Sequence, residues 1–314
     1  MSIITTVTMN AAIDKTYYVP RFPLGKVTRV SGMIADAGGK GINVARVASL
    51  LGAQVTASGF AGGSNGRFIE SELAKLGIAH DFVHVEGESR LCLNIMDEEA
   101  GTSTELLEPG PTVPQEQYEQ LKMTVKQLAG RSRVLCFSGS MPAGVPVESY
   151  AELVAIARQA GATVLLDASG EALVRGITAA PFMIKPNEDE AAVLLGGPLD
   201  AGGSECRQQL ARLAAAGIAC VIVSLGADGA VALWDNRLYR IRVPRISAVN
   251  TVGSGDAFTA GFAVALAEGR APEECLRLAA AAGSANALQR RAGWIDVSDV
   301  RSLAEQIAVE PMSV

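Results

Sequence analysis

The alternation of short apolar runs with amphipathic stretches is the feature that most limits how this chain can fold. The runs Ile3 to Thr8, Gln54 to Phe60, Val134 to Ser138, Thr163 to Asp167, Phe182 to Lys185 and Cys220 to Ser224 have the length and β-branched content of buried strands. Between them, Ile42 to Leu51, Gly66 to Leu76, Gln115 to Leu128, Pro146 to Gln159 and Ser204 to Ala216 carry apolar residues at helical spacing. Buried strands separated by helices predict an α/β domain with a mostly parallel central sheet flanked by helices on both faces. Functional residues are then expected at the carboxyl ends of the strands. The chain reads as a single domain, 1–314.

Two stretches break this rhythm, at about 14–37 and 88–110. Each alternates polar and apolar residues with β-formers such as Thr16, Tyr17, Tyr18 and Val19, or Leu91, Leu93 and Ile95. They fit the strands of a small sheet exposed on one face. Plain insertions are one reading; a lid over the end of the main sheet is the favoured one.

Composition removes several function classes. Aromatics are only 5% and the net charge is −6, which gives little material for stacking bases or neutralising a phosphate polymer, so no nucleic-acid partner is expected. The Ala-rich C-terminal region is interrupted by Glu268, Arg270, Glu273, Glu274 and Arg277, so no membrane span is expected. Met1 to Met9 has no basic start before its apolar residues, and a cytoplasmic protein is the expectation. The five cysteines, Cys92, Cys136, Cys206, Cys220 and Cys275, form no C-x-x-C pair and read as buried thiols. His80 and His84 lie in an alternating apolar run that reads as strand, where their spacing does not converge on a metal.

Two glycine-rich segments carry the chemistry. In Asn250-Thr251-Val252-Gly253-Ser254-Gly255-Asp256, two glycines precede a helix of small and apolar residues from Thr259 to Ala267. Backbone N–H groups and the helix dipole make such a junction an anion cradle. Asp256 either caps that helix or acts as a base there; beside a helix N-terminus it is expected to stay ionised and therefore weak as a base. Gly38-Gly39-Lys40-Gly41-Ile42-Asn43 opens a second helix. It is either a turn or a place where Lys40 and Asn43 recognise hydroxyls close to the backbone. Neither Gly25-Lys26 nor Gly39-Lys40 is followed by Ser or Thr, so this is not a P-loop.

These two segments resemble the paired signatures of the PfkB carbohydrate kinase family, whose fold is ribokinase-like. Further similar pieces are Thr8 to Asp14, Ser138 to Gly144, Lys185 to Glu190, Ser224 to Gly229 and Ala282 to Asn286, so the resemblance spans nearly the whole chain. It implies ATP and Mg²⁺ as cofactors, and a small phosphorylated sugar as substrate. Asp14, Gly39, Lys40 and Asn43 would hold sugar hydroxyls, with Ser138 and Gly139 in the same substrate set. Asp256 would accept the hydroxyl proton, and Gly253, Ser254 and Gly255 would form the anion hole. Lys185, Asn187 and Glu190 would serve the ATP phosphates, Glu190 placing Mg²⁺ through water. Ser224, Gly226 and Gly229 would form the nucleotide loop, and Gly283 and Asn286 the wall beside adenine. The residues alone leave duller readings open: Asn187 and Glu190 have the spacing of a capping box, and Gly226 and Gly229 suit a hairpin.

The resemblance also implies that Lys26, Arg29 and Arg90 form the sugar-phosphate site. Asn10, Asp14 and the Gly-Gly-Lys-Gly form are more similar to fructose 1-phosphate and tagatose 6-phosphate kinases than to ribokinase. Ala11 stands where the family often has Pro, and Ser254 where Ala is common; neither change removes a functional atom. Fructose 1-phosphate is the preferred substrate, with tagatose 6-phosphate and fructose 6-phosphate close behind. A non-catalytic sugar or nucleotide sensor on the same fold is the alternative of another class. A half-exposed lid face suggests a homodimer built lid to lid.

Overall fold

The computed structural model describes residues 4–312. In chain order the elements are β1 (Ile4–Thr8), β2 (Ala12–Val19), β3 (Gly32–Gly38), α1 (Lys40–Leu50), β4 (Val55–Gly62), α2 (Gly63–Lys75), β5 (Ala79–Val85), β6 (Arg90–Asp97), β7 (Thr102–Leu107), α3 (Gln115–Ala129) and β8 (Val134–Ser138). They continue with α4 (Ser149–Gln159), β9 (Thr163–Asp167), α5 (Gly170–Gly176), β10 (Met183–Ile184), α6 (Glu188–Leu195), α7 (Cys206–Ala214), β11 (Cys220–Ser224), β12 (Ala230–Trp234), β13 (Arg237–Arg242), α8 (Ser254–Ala267), α9 (Pro272–Ala287), α10 (Val297–Gln306) and β14 (Ala308–Pro311).

Ten strands form the main sheet in the order β14-β13-β12-β11-β10-β9-β8-β1-β4-β5. From β11 to β5 every pairing is parallel. At the other edge β12, β13 and β14 run antiparallel; short turns join β11, β12 and β13, whereas β14 pairs with β13 only after the chain has passed through α8, α9 and α10. Because successive strand residues face opposite sides, β1 sends Ile4 to one core and Val7 to the other. The first core takes the apolar faces of α1, α2, α8, α9 and α10. The second takes those of α3, α4, α5, α6 and α7. Among the described residues no helix is long and apolar enough to cross a membrane.

The two irregular stretches form a separate four-stranded sheet, β3-β2-β6-β7. Here β2 pairs antiparallel with β3 and parallel with β6, which brings Ala12 opposite both Gly38 and Arg90. The small sheet thus springs directly from β1 and returns directly into α1. Its β7 strand is exposed along its length, as a thin sheet with one uncovered face should be.

The carboxyl ends of β1, β8, β9, β10 and β11 meet the N-terminus of α8 at one rim of the main sheet. Gly253 makes the approach possible. Its φ of 83° is left-handed, and a Cβ there would lie 2.6 Å from the Gly293 nitrogen, so no other residue fits.

Candidate active site

Two cavities open at that rim, of about 330 and 400 Å³. The first lies under the small sheet and is lined by Asp14, Asp36, Gly39, Lys40, Asn43, Arg90, Gly253, Asp256, Arg290 and Arg291, among others. The second is walled by Lys185, Ser224, Gly226, Gly229, Thr251, Ser254, Phe258, Ala280, Gly283 and Ala287, with Arg245 and Ile246 at its side. Among the described residues Gly255 is the one that lines both.

Helix geometry leaves the first N–H groups of α8 without partners inside the helix. That of Ser254 turns back to the Thr251 carbonyl at 3.2 Å, so Gly255 and Asp256 keep theirs for an incoming anion. The Lys185 ammonium is close by, since a Cβ on Gly255 would lie 3.2 Å from Nζ. The loop is held from behind by Asn286, whose Nδ2 donates to the Val252 carbonyl at 2.9 Å and whose Oδ1 accepts the Gly293 N–H at 2.8 Å.

Asp256 is buried at the junction, 5% exposed. Asn43 Nδ2 donates to its Oδ2 at 2.9 Å. Burial pushes its pKa up to about 7, opposed by Lys40, Asn43 and Lys185, while Asp167 reinforces the rise. This corrects the expectation of an ionised, weakly basic Asp256. The helix terminus favours the anion, but near-complete removal from water outweighs it.

Asp167, which the sequence reading did not single out, links the cavities. It ends β9 and is 2% exposed. Lys185 Nζ lies 3.3 Å from its Oδ2 and Lys40 Nζ 3.7 Å from its Oδ1, while Thr259 Oγ1 donates to Oδ2 at 3.1 Å. Burial alone would raise its pKa, yet Lys185, Lys40 and Thr259 hold it below the usual carboxylate range. In return Asp167 raises the pKa of Lys40. One lysine in each cavity is therefore ion-paired with a common carboxylate. A charged residue closing an otherwise apolar strand was the available signal.

The other expected residues divide. Asp14 faces the first cavity, its pKa raised by burial against the pull of Arg46 and Arg90. Arg90 points the same way, tethered through Nε to the Asn10 carbonyl at 3.2 Å. Gly39 is required by packing, because a Cβ would come within 2.9 Å of Thr8 Cγ2 at a φ of 99°. Asn43 is largely committed to Asp256 and Arg46, which leaves it at most one N–H to offer a sugar. Ser138 is fully buried and Gly139 packs behind Lys40, so neither reaches the cavity wall. Lys26 and Arg29 sit on the exposed 20–31 loop, outside the cavity lining, because that loop leaves the small sheet toward solvent.

On the nucleotide side, Ser224, Gly226, Gly229 and Gly283 line the second cavity as expected, with Gly226 and Gly229 also closing the turn into β12. Asn286 does not, since it is wholly buried beneath the loop it fixes. Asn187 and Glu190 form a full capping box on α6: Asn187 Oδ1 accepts the Glu190 N–H at 2.8 Å and Glu190 Oε2 accepts the Asn187 N–H at 2.9 Å. Neither lines either of the two cavities. Among the described residues no three His, Cys, Asp or Glu side chains gather as a metal site.

The chain matches the family described as pfkB family carbohydrate kinase over residues 7–295. It therefore belongs to that family. It is 37% identical over 309 residues to a tagatose-6-phosphate kinase of Staphylococcus epidermidis, covering 98% of this chain and 99% of the relative. Phosphofructokinase-2 of Escherichia coli, solved with potassium, superposes with a TM-score of 0.91 at 28% identity over 98% of this chain and 99% of that one. A Thermotoga maritima protein described as a possible 1-phosphofructokinase superposes with a TM-score of 0.84 at 26% identity, covering 99% of this chain and 100% of its own. The fold is ribokinase-like, and the protein is a sugar-phosphate kinase using ATP.

Proposed function

We propose that the protein transfers the γ-phosphoryl group of ATP to a hydroxyl of a ketohexose monophosphate, giving a bisphosphate, with Asp256 as general base. The observation that carries this reading is the shared wall: among the described residues Gly255 alone borders both cavities, and Asp256 is the next residue. A nucleotide in the second cavity would have its terminal phosphate at Gly255, where the free amides of α8 and the Lys185 ammonium gather. A sugar in the first cavity would bring its hydroxyl to Asp256 from the opposite side, which suits in-line displacement.

The hydroxyl proton passes to Asp256 as its oxygen bonds to phosphorus, and ADP leaves toward the second cavity. A carboxylate whose pKa is near 7 suits this task better than an ordinary one, because it takes the proton more willingly and is still substantially ionised at neutral pH. Gly253, Ser254 and Gly255 shape the amide cradle that meets charge on the transferred oxygens. Lys40 and Lys185, braced by Asp167, add fixed positive charge on either side of the transfer path. The Arg90 guanidinium supports the sugar's own phosphate, while Asp14 and Gly39 suit its hydroxyls.

Magnesium fits as a companion of the nucleotide rather than as an ion caged by protein. The capping box leaves Glu190 Oε1 free, and Glu190 lies near enough to raise the Lys40 pKa, so a hydrated ion approached through water suits the site. When bound, Mg²⁺ supplies charge neutralisation on the phosphates. The small sheet suits a lid that excludes water from the transfer. Its exposed Met33, Leu106 and Leu107, with Leu24 and Val27 on the adjoining loop, support a homodimer built through it.

Within the ketohexose phosphates, fructose 1-phosphate is the proposed substrate. Tagatose 6-phosphate is the second reading, favoured by the 37% identical relative. An ADP-release assay over fructose 1-phosphate, fructose 6-phosphate, tagatose 6-phosphate and their unphosphorylated sugars tests both. A kcat/KM highest for fructose 1-phosphate supports the first reading, and one highest for tagatose 6-phosphate replaces it with the second. Equal turnover of neutral sugars would overturn the phosphosugar assignment.

A further inference from the structure

Among the described residues Arg46 is the largest fully buried side chain, 2% exposed, on α1 one turn beyond Asn43. None of the described carboxylates lies within ion-pairing distance of it, and burial lowers its pKa against the pull of Asp36 and Asp14. Leaving a guanidinium in such a place is costly unless its N–H groups are well used. Those of Nη1 and Nη2 are spent on three segments at once, while the buried Nε is left without a partner among the described residues. Nη1 donates to Asn43 Oδ1 at 3.0 Å, and to the carbonyls of Ala292 at 3.3 Å and Gly293 at 3.4 Å. Nη2 donates to the Ala37 carbonyl near the end of β3. The guanidinium carbon lies 5.4 Å from the centre of the Trp294 ring, which Arg291 covers at 4.2 Å.

The bond to Asn43 has a chemical consequence. A side-chain amide has one accepting end and one donating end. Arg46 can only donate, so it fixes Oδ1 toward itself and thereby turns Nδ2 toward Asp256. Without a donor at position 46, a protonated Asp256 can donate to Oδ1 instead, so the amide is free to turn and the carboxylate has no fixed donor. The other three bonds tie this orientation to the small sheet through Ala37 and, through Ala292 and Gly293, to the segment packed against Gly253.

We propose that Arg46 is a positioning residue for the transfer reaction: it locks the Asn43 amide so that Asn43 always donates to the Asp256 carboxylate, and it anchors that pair to the base of the small sheet. This rests on the reading of Asp256 as the general base. The charged groups facing Asp256 from the elements around it are Lys40 and Arg46 on α1, Asp167 at the end of β9 and Lys185 after β10. Loss of the Asn43 donor and of a nearby positive charge both make the carboxylate harder to ionise.

The test compares wild type, Arg46→Met, Arg46→Lys, Asn43→Ala, the Asn43→Ala/Arg46→Met double variant and Asp256→Asn, with kcat/KM measured from pH 5.5 to 9. Arg46→Met, which has no donor, is expected to lower kcat by about 10–100-fold and to move the acid limb upward by about one pH unit, with KM for ATP within about twofold of wild type. Arg46→Lys keeps the charge and can reach only part of the acceptor set, so a smaller change in the same two quantities is expected; it also serves if the Met variant does not fold. The double variant should be scarcely worse than Asn43→Ala alone, because both changes cut one relay. A lowered melting temperature with an unmoved limb and additive rate effects would make Arg46 a structural residue and overturn the proposal. Near-wild-type turnover by Asp256→Asn would instead remove the base reading itself, whatever the Arg46 variants do.

Discussion

The two cavities that meet at Gly255 are built from opposite materials. The first is walled by ionisable side chains, Asp14, Asp36, Lys40, Arg90, Arg290 and Arg291, brought in from the small sheet, α1 and the segment after α9. The second is walled by Gly226, Gly229, Gly283, Ala280, Ala287 and Phe258, where what matters is the room left by missing side chains. A small phosphorylated sugar is recognised by charge and hydrogen bonds, and a flat heterocycle by an apolar slot. The first cavity should therefore fail when a charge is removed, and the second when bulk is added. Only the junction should affect both.

The largest effect is expected at the junction. Asp256→Asn should lower kcat by about 10²–10⁴-fold while leaving both KM values nearly unchanged, as steady-state kinetics will read. Asp167→Asn should follow. It strips a shared partner from Lys40 and Lys185, so kcat should fall, both KM values should rise, and thermal unfolding should show a loss of about 3–5 kcal/mol, the usual cost of breaking a buried pair. A change confined to one substrate would show that Asp167 belongs to one cavity only.

Arg90→Ala tests the charged side. KM for the sugar phosphate should rise about 10–100-fold with KM for ATP unmoved, since a charge-assisted bond to a phosphate is worth about 1.5–3 kcal/mol. Gly283→Val tests the slot. A Cβ at Gly283 would already lie 3.1 Å from the Ser254 carbonyl oxygen and 3.5 Å from Phe258 Cβ, so the branched side chain should raise KM for ATP by about tenfold and spare the sugar. The smallest expected effect is that of Lys26→Ala in the isolated protomer, because Lys26 lies on an exposed loop outside the cavity. A large rise in sugar-phosphate KM there would show that the loop reaches a site in the assembled protein.

The two cavities were also unequally legible in sequence. The family resemblance pointed to the second through Gly226, Gly229 and Gly283, whereas spacing alone suited Gly226 and Gly229 to a hairpin. Strands such as Val134–Ser138, Thr163–Asp167 and Cys220–Ser224 were readable to the residue, because a buried parallel strand is a bounded apolar run. What sequence spacing did not carry was how charges pair across it. Asp167 lies 127 positions beyond Lys40 and 18 before Lys185, and nothing in those intervals foretells a common carboxylate. The proton affinity of Asp256 was misread for the same reason: the helix terminus is local and visible in sequence, whereas burial is supplied by α1, β9 and the strand ends around it. Asn187 and Glu190 show the reverse case, where the local capping-box reading describes the observed contacts in full.

The account depends on Asp256 losing its proton near neutrality while it lies between the two cavities. The direct measurement is kcat/KM for the sugar phosphate against pH, with ATP saturating, in wild type and in Asp256→Asn. A carboxylate with its pKa raised to about 7 is protonated and inactive below that value and ionised and active above it, so wild-type activity should fall about tenfold per pH unit on the acid side. That limb should lie about one unit above the phosphosugar's own second ionisation, and should vanish in the variant. A wild-type profile level from pH 5.5 to 8.5, or the same limb retained by Asp256→Asn, would contradict the account.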